Sequence, residues 1–160
     1  MTAHSHHSTA YDLVIIGFGM ASHRLLQELG QLSLAPKRIL VLGEETLPAY
    51  NRVLLPQLIE DSSTDISLPA LNFGQNIVTV LSDEKVVSIS RQTQRLHTES
   101  GKCFVYRKLV FATGSAPVFP DFCNEEDIAG SGMCGRMLAL RHTGDVAKIS
   151  EFPAGSHIVI

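Results

Sequence analysis

The stretch Gly17-Phe18-Gly19-Met20-Ala21-Ser22 constrains this chain more than any other. It follows Tyr11-Asp12-Leu13-Val14-Ile15-Ile16, a largely β-branched, apolar run of the kind that forms a strand buried on both faces of a parallel sheet. It leads into apolar residues at Ala21, Leu25, Leu26 and Leu29, which is helical spacing, with Gly30 as the natural C-cap. After a loop containing Pro36, Arg38-Ile39-Leu40-Val41-Leu42 repeats the buried-strand pattern and stops at Gly43. Strand, helix, strand in this order is a βαβ unit. It requires a parallel strand pair and a right-handed crossover.

The spacing G-x-G-x-x-S has a specific physical meaning. The first glycine makes the tight turn off the strand, the second lets a pyrophosphate approach the backbone, and the third position keeps helix and strand close. The helix start then offers unpaired N–H groups and a partial positive charge to phosphates. Ser22 stands where the motif has Gly or Ala; a hydroxymethyl group is small, but it departs from the pattern. Glu44, 22 residues beyond Ser22 and just after the second strand, is an acid able to accept two hydrogen bonds from an adenosine ribose. The bland alternative is a non-binding βαβ unit with incidental glycines.

The rest of the chain reads as follows. Leu47 to Ala70 holds a loop, a short helix and another loop, and Ile77 to Leu81 is a third apolar run. Val86 to Ser90 and Gln94 to Thr98 form antiparallel strands around an Arg91-Gln92-Thr93 turn, and Cys103 to Tyr106 extends the meander. Leu109 to Ala112 is a separate buried strand ending at Thr113-Gly114. Pro117 and Pro120 mark an irregular connector, Met137 to Leu140 is a short apolar run, and Asp145 to Phe152 is a short helix. His157 to Ile160 opens another buried strand. His23 reads as a surface histidine on the amphipathic helix. Arg141 and Asp145 read as an i, i+4 pair of small energetic weight.

Composition excludes several classes. With 160 residues, 13 Lys+Arg and 16 Asp+Glu, the net charge is −3, so no cationic excess exists to displace counterions from nucleic acid. Trp is absent, which argues against a base-stacking platform. No apolar run approaches the length of a membrane span. Cys103, Cys123 and Cys134 have neither zinc nor C-x-x-C spacing and make no even disulfide set, so a reduced, cytoplasmic protein is expected. Residues 1–10, with His4, His6 and His7, read as a flexible polar leader rather than a metal site, since no Asp, Glu or Cys sits nearby.

Leu109-Val110-Phe111-Ala112-Thr113-Gly114-Ser115-Ala116-Pro117 resembles the A-T-G-S-x-P strand of the pyridine nucleotide-disulfide oxidoreductase-like family of flavoproteins. Glu44-Glu45-Thr46-Leu47-Pro48-Ala49-Tyr50-Asn51-Arg52 is similar to that family's G-E-E-x-x-x-A-Y-D-R stretch. Gly17-Phe18-Gly19-Met20, His23-Arg24 and Pro48 to Val53 point to its NAD(P)H-dependent nitrite reductase branch, with rubredoxin and ferredoxin reductases as relatives. Gly135 to Val146 resembles the connector toward an NAD(P)-binding domain.

The resemblance implies an α/β fold: a three-layer FAD/NAD(P)-binding Rossmann-like domain with a parallel sheet and an antiparallel β-meander, incomplete at its C-terminus. It divides the chain into a tail (1–10), the N-terminal part of an FAD-binding domain (11–118), a connector (119–156) and the first strand of a truncated NAD(P)-binding domain (157–160). It implies FAD as cofactor, with NAD(P)H only in a longer form, and cofactor contacts at Gly17, Gly19, Met20, Ala21, Ser22, Glu44, Glu45, Arg52, Ala112, Thr113 and Gly114. Glu44 would hold the adenosine ribose and Arg52 the phosphate–ribityl region. No catalytic side chain and no metal ligand is expected. The implied function is the flavin-binding portion of an oxidoreductase that passes electrons from NAD(P)H through FAD to a further acceptor. Its partner would be a C-terminal half or a redox protein. The competing readings are a truncated, inactive fragment or interaction module, and an NAD(P)-binding domain without flavin.

Overall fold

The computed structural model describes residues 10–32, 36–119, 137–153 and 155–157. Residues 1–9 of the polar leader, Pro120, Cys123, Cys134, Gly135, Arg136 and residues 158–160 of the expected last strand lie outside the described residues. The chain divides into two compact units. One is built from the described residues up to Tyr50 together with Leu68–Gly114; the other comprises Asn51–Ser67 and the described residues after Gly114.

The first unit contains β1 (Tyr11–Ile16), α1 (Met20–Leu29), β2 (Arg38–Leu42), β3 (Ile77–Leu81), β4 (Val86–Ser90), β5 (Arg95–Thr98) and β6 (Cys103–Phe111). They form one six-stranded mixed sheet in the order β3-β2-β1-β6-β5-β4. β1 pairs in parallel with β2 and with β6, and β2 with β3, whereas β4, β5 and β6 form an antiparallel meander. The fold is therefore the α/β class expected from the sequence. Val14, Ile15, Ile39, Leu40 and Val41 are all 0% exposed, which is why β1 and β2 read as unbroken apolar runs. Leu13, Ile15, Ile39 and Val41 pack with Leu26 of α1 on one face; Val14, Leu40 and Leu42 pack with Leu96 and Tyr106 on the other. Each such side chain contributes roughly 1.5–3 kcal/mol of hydrophobic stabilisation.

Two differences from the expected elements have local causes. Cys103 to Tyr106 and Leu109 to Ala112 are not separate strands: β6 runs unbroken through Arg107 and Lys108, pairing first with β5 and then with β1. Strand pairing uses the backbone, so two exposed basic side chains do not interrupt it, and Arg107 lies 3.8 Å from the Asp12 carboxylate on β1. Gln94 belongs to the β4–β5 turn rather than to β5, because its φ of +50° is left-handed. Gly30 does cap α1, but with φ −62°. A glycine is needed there because an added Cβ would run into the Asn72 carbonyl oxygen.

The second unit holds a 3₁₀ turn at Arg52–Leu54, α2 (Leu55–Glu60) and α3 (Thr143–Ser150). Asn51 accepts from the Val53 amide at 3.1 Å and starts the turn. α3 begins earlier than its apolar spacing predicts, because His142 and Asp145 form a reciprocal capping box. Asp145 is thereby used on the backbone: its carboxylate accepts from the amides of Arg141 (2.8 Å) and His142 (3.1 Å) rather than pairing with the Arg141 guanidinium. Met137 to Leu140 has no regular structure.

Glu84, 3% exposed in the turn after β3, is the buried carboxylate of the first unit. Its oxygens accept from the Lys102 ammonium and the Ser100 hydroxyl, so it ties the β3–β4 turn to the β5–β6 turn. Those hydrogen bonds, that to Lys102 foremost, hold its pKa down to about 2 from the ordinary 4.5. A depressed carboxylate pKa stabilises the fold fully above pH 4.5 and loses that contribution as pH falls toward 2. Glu84→Gln should therefore lower the melting temperature at pH 7, and the gap from the unaltered chain should close on acidification across that range. Thermal melts of both proteins at several pH values check this; a gap independent of pH would contradict it.

Candidate dinucleotide site

β1 lies between β2 and β6, so the chain leaves it in one direction and returns on its other side. In open parallel sheets, ligands bind beyond the carboxyl ends of the strands at such a reversal. The three carboxyl ends here carry Gly43-Glu44 after β2, Gly17-Phe18-Gly19 after β1, and Ala112-Thr113-Gly114 after β6. Backbone bonds lock them together: Gly17 N–H donates to Leu42 (2.8 Å), and Ala112 N–H donates to Ile16 (2.7 Å).

The two glycines of the β1–α1 turn do different work. Gly17 has φ +98°, and a Cβ there would collide with the carbonyl of Ala112. Gly17 is thus required by the fold. A Cβ on Gly19 would meet nothing within 4 Å, so the space above it is open to a ligand. Gly19 is also the N-cap of α1, with no side-chain cap and no acidic residue in the first turn. The first N–H groups of a helix have no intrahelical partners, and the dipole favours an anion there. Ser22 resolves the departure at the third motif position. It is 0% exposed, and its hydroxyl donates to the Gly19 carbonyl at 2.8 Å, so it fits the helix–strand contact with its polar group satisfied. Met20 and Ala21 are exposed at the helix start.

Glu44 is exposed and lies 3.3 Å from the Lys85 ammonium. Glu45 has a structural attachment: it accepts from the hydroxyl of the buried Tyr50 at 2.6 Å. Thr113 and Gly114 are exposed at the end of β6, with Ala112 partly buried beside β1. Arg52 belongs to the second unit, where its guanidinium donates to the Arg141 carbonyl at 2.7 Å. The first unit thus brings together the expected residues at 17–22, 44–45 and 112–114.

His23 is not a surface residue. It is 8% exposed, and its Nε2 lies 2.9 Å from the Pro69 carbonyl oxygen, binding α1 to the segment before β3. The bond spans 46 residues, so no local pattern revealed it. Lys85 was equally unmarked in the sequence, because its neighbour Glu44 is distant along the chain. Cys103 is an exposed thiol at the start of β6. No group of three or more His, Cys, Asp or Glu able to hold a metal occurs among the described residues.

A parallel βαβ unit with an open glycine turn at a strand-order reversal defines a dinucleotide-binding class of fold. The sequence profile of the family described as "Pyridine nucleotide-disulphide oxidoreductase" matches residues 11–158, and the chain belongs to this family. It is 34% identical over 108 residues to the assimilatory nitrate reductase electron transfer subunit of Bacillus subtilis; the match covers 66% of this chain and 14% of that protein. It is 36% identical over 111 residues to the nitrite reductase (NADH) large subunit of Escherichia coli, covering 68% of this chain and 13% of the relative. The chain therefore spans only about an eighth of the length of these relatives. Among solved structures, NADH:rubredoxin oxidoreductase from Clostridium acetobutylicum shares the fold with a TM-score of 0.64 and 20% identity over 88% of this chain and 35% of that one.

The two glycines should separate on mutation. Gly17→Ala should destabilise the fold by about 1–3 kcal/mol through backbone strain and the clash with Ala112. Gly19→Val should leave the protein folded, with a loss of about 1 kcal/mol from replacing a favourable N-cap residue, but abolish adenine dinucleotide binding, because its side chain enters the open space. Paired thermal melts and calorimetry test this; unchanged flavin affinity in a folded Gly19→Val protein would overturn the phosphate-turn assignment.

Proposed function

We propose that this chain binds FAD by its adenosine diphosphate half and is the flavin-holding segment of an NAD(P)H-dependent oxidoreductase of the nitrite reductase branch. The observation that carries this reading is the open space over Gly19 at an uncapped helix start, with the exposed Glu44 at the end of the adjacent strand. Gly19 and the first turn of α1 (Met20, Ala21, Ser22) would take the pyrophosphate with backbone N–H groups. Glu44 would accept from the ribose hydroxyls. Ala112, Thr113 and Gly114 would line the approach of the dinucleotide; the family resemblance alone would give Arg52 the phosphate–ribityl region, for which its fork of donors is suited. Glu45, bonded to Tyr50, would support this segment.

The chemistry the cofactor supplies when bound is acceptance of hydride from a reduced nicotinamide and release of electrons to an acceptor. No side chain of this stretch acts as acid or base in this reading; the residues bind, orient and tune. The names of the relatives support the wider assignment: one is an electron transfer subunit and another an NADH-dependent nitrite reductase. Nicotinamide use, the final acceptor and a redox partner protein or C-terminal half remain part of the proposal, since the match covers so little of those proteins. Among the described residues no helix is long and apolar enough to cross a membrane.

The test is direct. The purified chain is mixed with FAD and passed through a gel filtration column while its visible spectrum is recorded. Flavin absorbance eluting with the protein supports the proposal; a folded protein that elutes colourless overturns it for this chain. Glu44→Ala should weaken FAD binding by roughly 1–3 kcal/mol, the cost of lost charged hydrogen bonds to the ribose. Isothermal calorimetry measures this, and a change below a few tenths of a kcal/mol would count against Glu44.

A further inference from the structure

The turn between β3 and β4 is stitched to the segment after β2 on both sides of Glu44. Glu84 N–H donates to the Gly43 carbonyl at 2.8 Å, and Asp83 N–H donates to the Glu45 carbonyl at 3.1 Å. Asp83 adopts φ +55°, a left-handed conformation uncommon outside glycine. The same turn is pinned from beneath by the buried Glu84 carboxylate, and the Lys85 carbonyl accepts from the Glu99 amide at 2.8 Å. The backbone that carries Lys85 is thus fixed on several sides, and its ammonium stands 3.3 Å from Glu44 Oε1.

Such a bond is unremarkable as a stabilising element. Both side chains are at least half exposed, and exposed ion pairs contribute little to stability. Neither the ion pair nor the left-handed turn at Asp83, a conformation aspartate tolerates, adds much to fold stability, so stability gives little reason for the arrangement. Its evident consequence is orientation. A glutamate at a strand end has three rotatable bonds, and a ribose diol needs both carboxylate oxygens aimed the same way. A cation anchored on one oxygen removes part of that freedom before the ligand arrives.

Resting on the assignment of Glu44 to an adenosine ribose, we infer that Lys85 is a positioning residue for that site: it holds the Glu44 carboxylate ready for a vicinal diol. Lys85 itself need not touch the ligand. Its contribution exists only when there are ribose hydroxyls for Glu44 to receive.

The experiment measures binding of ADP and of 2′,3′-dideoxy-ADP to the full chain, to Lys85→Met and to Lys85→Arg by isothermal calorimetry, with thermal melts as a control. The unaltered chain should prefer ADP by about tenfold or more, the worth of hydrogen bonds to a charged acceptor. Lys85→Met should lose most of that preference by weakening ADP alone, leave the dideoxy compound unchanged and melt at the same temperature. Lys85→Arg should restore the preference, since its guanidinium can still reach the carboxylate. A general structural role would weaken both nucleotides together, and that result overturns the inference. A preference that survives intact in Lys85→Met overturns it as well, while leaving the ribose assignment standing. Absence of ADP binding, or equal affinity of the unaltered chain for both nucleotides, overturns the ribose assignment and this inference with it.

Discussion

The close approach of Gly17 to Ala112 is the constraint on which the rest of the first unit depends. The exits of β1 and β6 are joined by the Ala112–Ile16 hydrogen bond, and no side chain fits between Gly17 and the Ala112 carbonyl. This contact fixes where the chain turns after β1, and so where α1 starts. The position of α1 in turn fixes the direction in which its unpaired N–H groups point. A phosphate arriving there meets donors already oriented, with little reorganisation to undergo. The same glycine that closes the fold therefore sets up the site, and the residue two places later leaves it open.

Much of this was legible in the sequence because backbone chemistry demanded particular residue types. Buried parallel strands need unbroken apolar runs, and Tyr11–Ile16 and Arg38–Leu42 are such runs. A positive φ beside a carbonyl needs glycine, and Gly17 is one. What stayed illegible depended on tertiary neighbours. Arg107 and Lys108 look like a break between two strands, yet they lie on an exposed stretch of one strand, with Asp12 nearby to receive Arg107. His23 looks like a solvent-facing helical residue until Pro69 supplies an acceptor. Arg141 and Asp145 have the spacing of an ion pair, but the helix start takes the carboxylate first, because its backbone donors would otherwise lack partners.

The Glu84 cluster links stability to the site. A carboxylate so far from water is costly unless hydrogen-bonded and paired, and here Ser100 and Lys102 do both. Its effect reaches past its own turn. By fixing residues 82–85 it also fixes the Asp83 and Glu84 amides, which donate to the carbonyls flanking Glu44, at 45 and at 43. Through Ser100 and Lys102, the β5–β6 turn of the meander thereby braces the backbone on either side of Glu44.

The start of α1 shows how the chain sacrifices local stability at this site. A serine at the N-cap would accept a hydrogen bond from the N–H two or three residues on and would stabilise the helix over glycine by about a few tenths of a kcal/mol. This helix has its serine three residues later instead. From there the Ser22 hydroxyl donates to the Gly19 carbonyl and consumes none of the N–H groups. The first turn also lacks the Asp or Glu that would complement the dipole. Each of these choices weakens an isolated helix, and each leaves positive potential and free donors facing the space above Gly19. Local stability is given up repeatedly at one place, with the fold secured elsewhere by Leu26 and the strands beneath it, and this is what the proposed phosphate site would require.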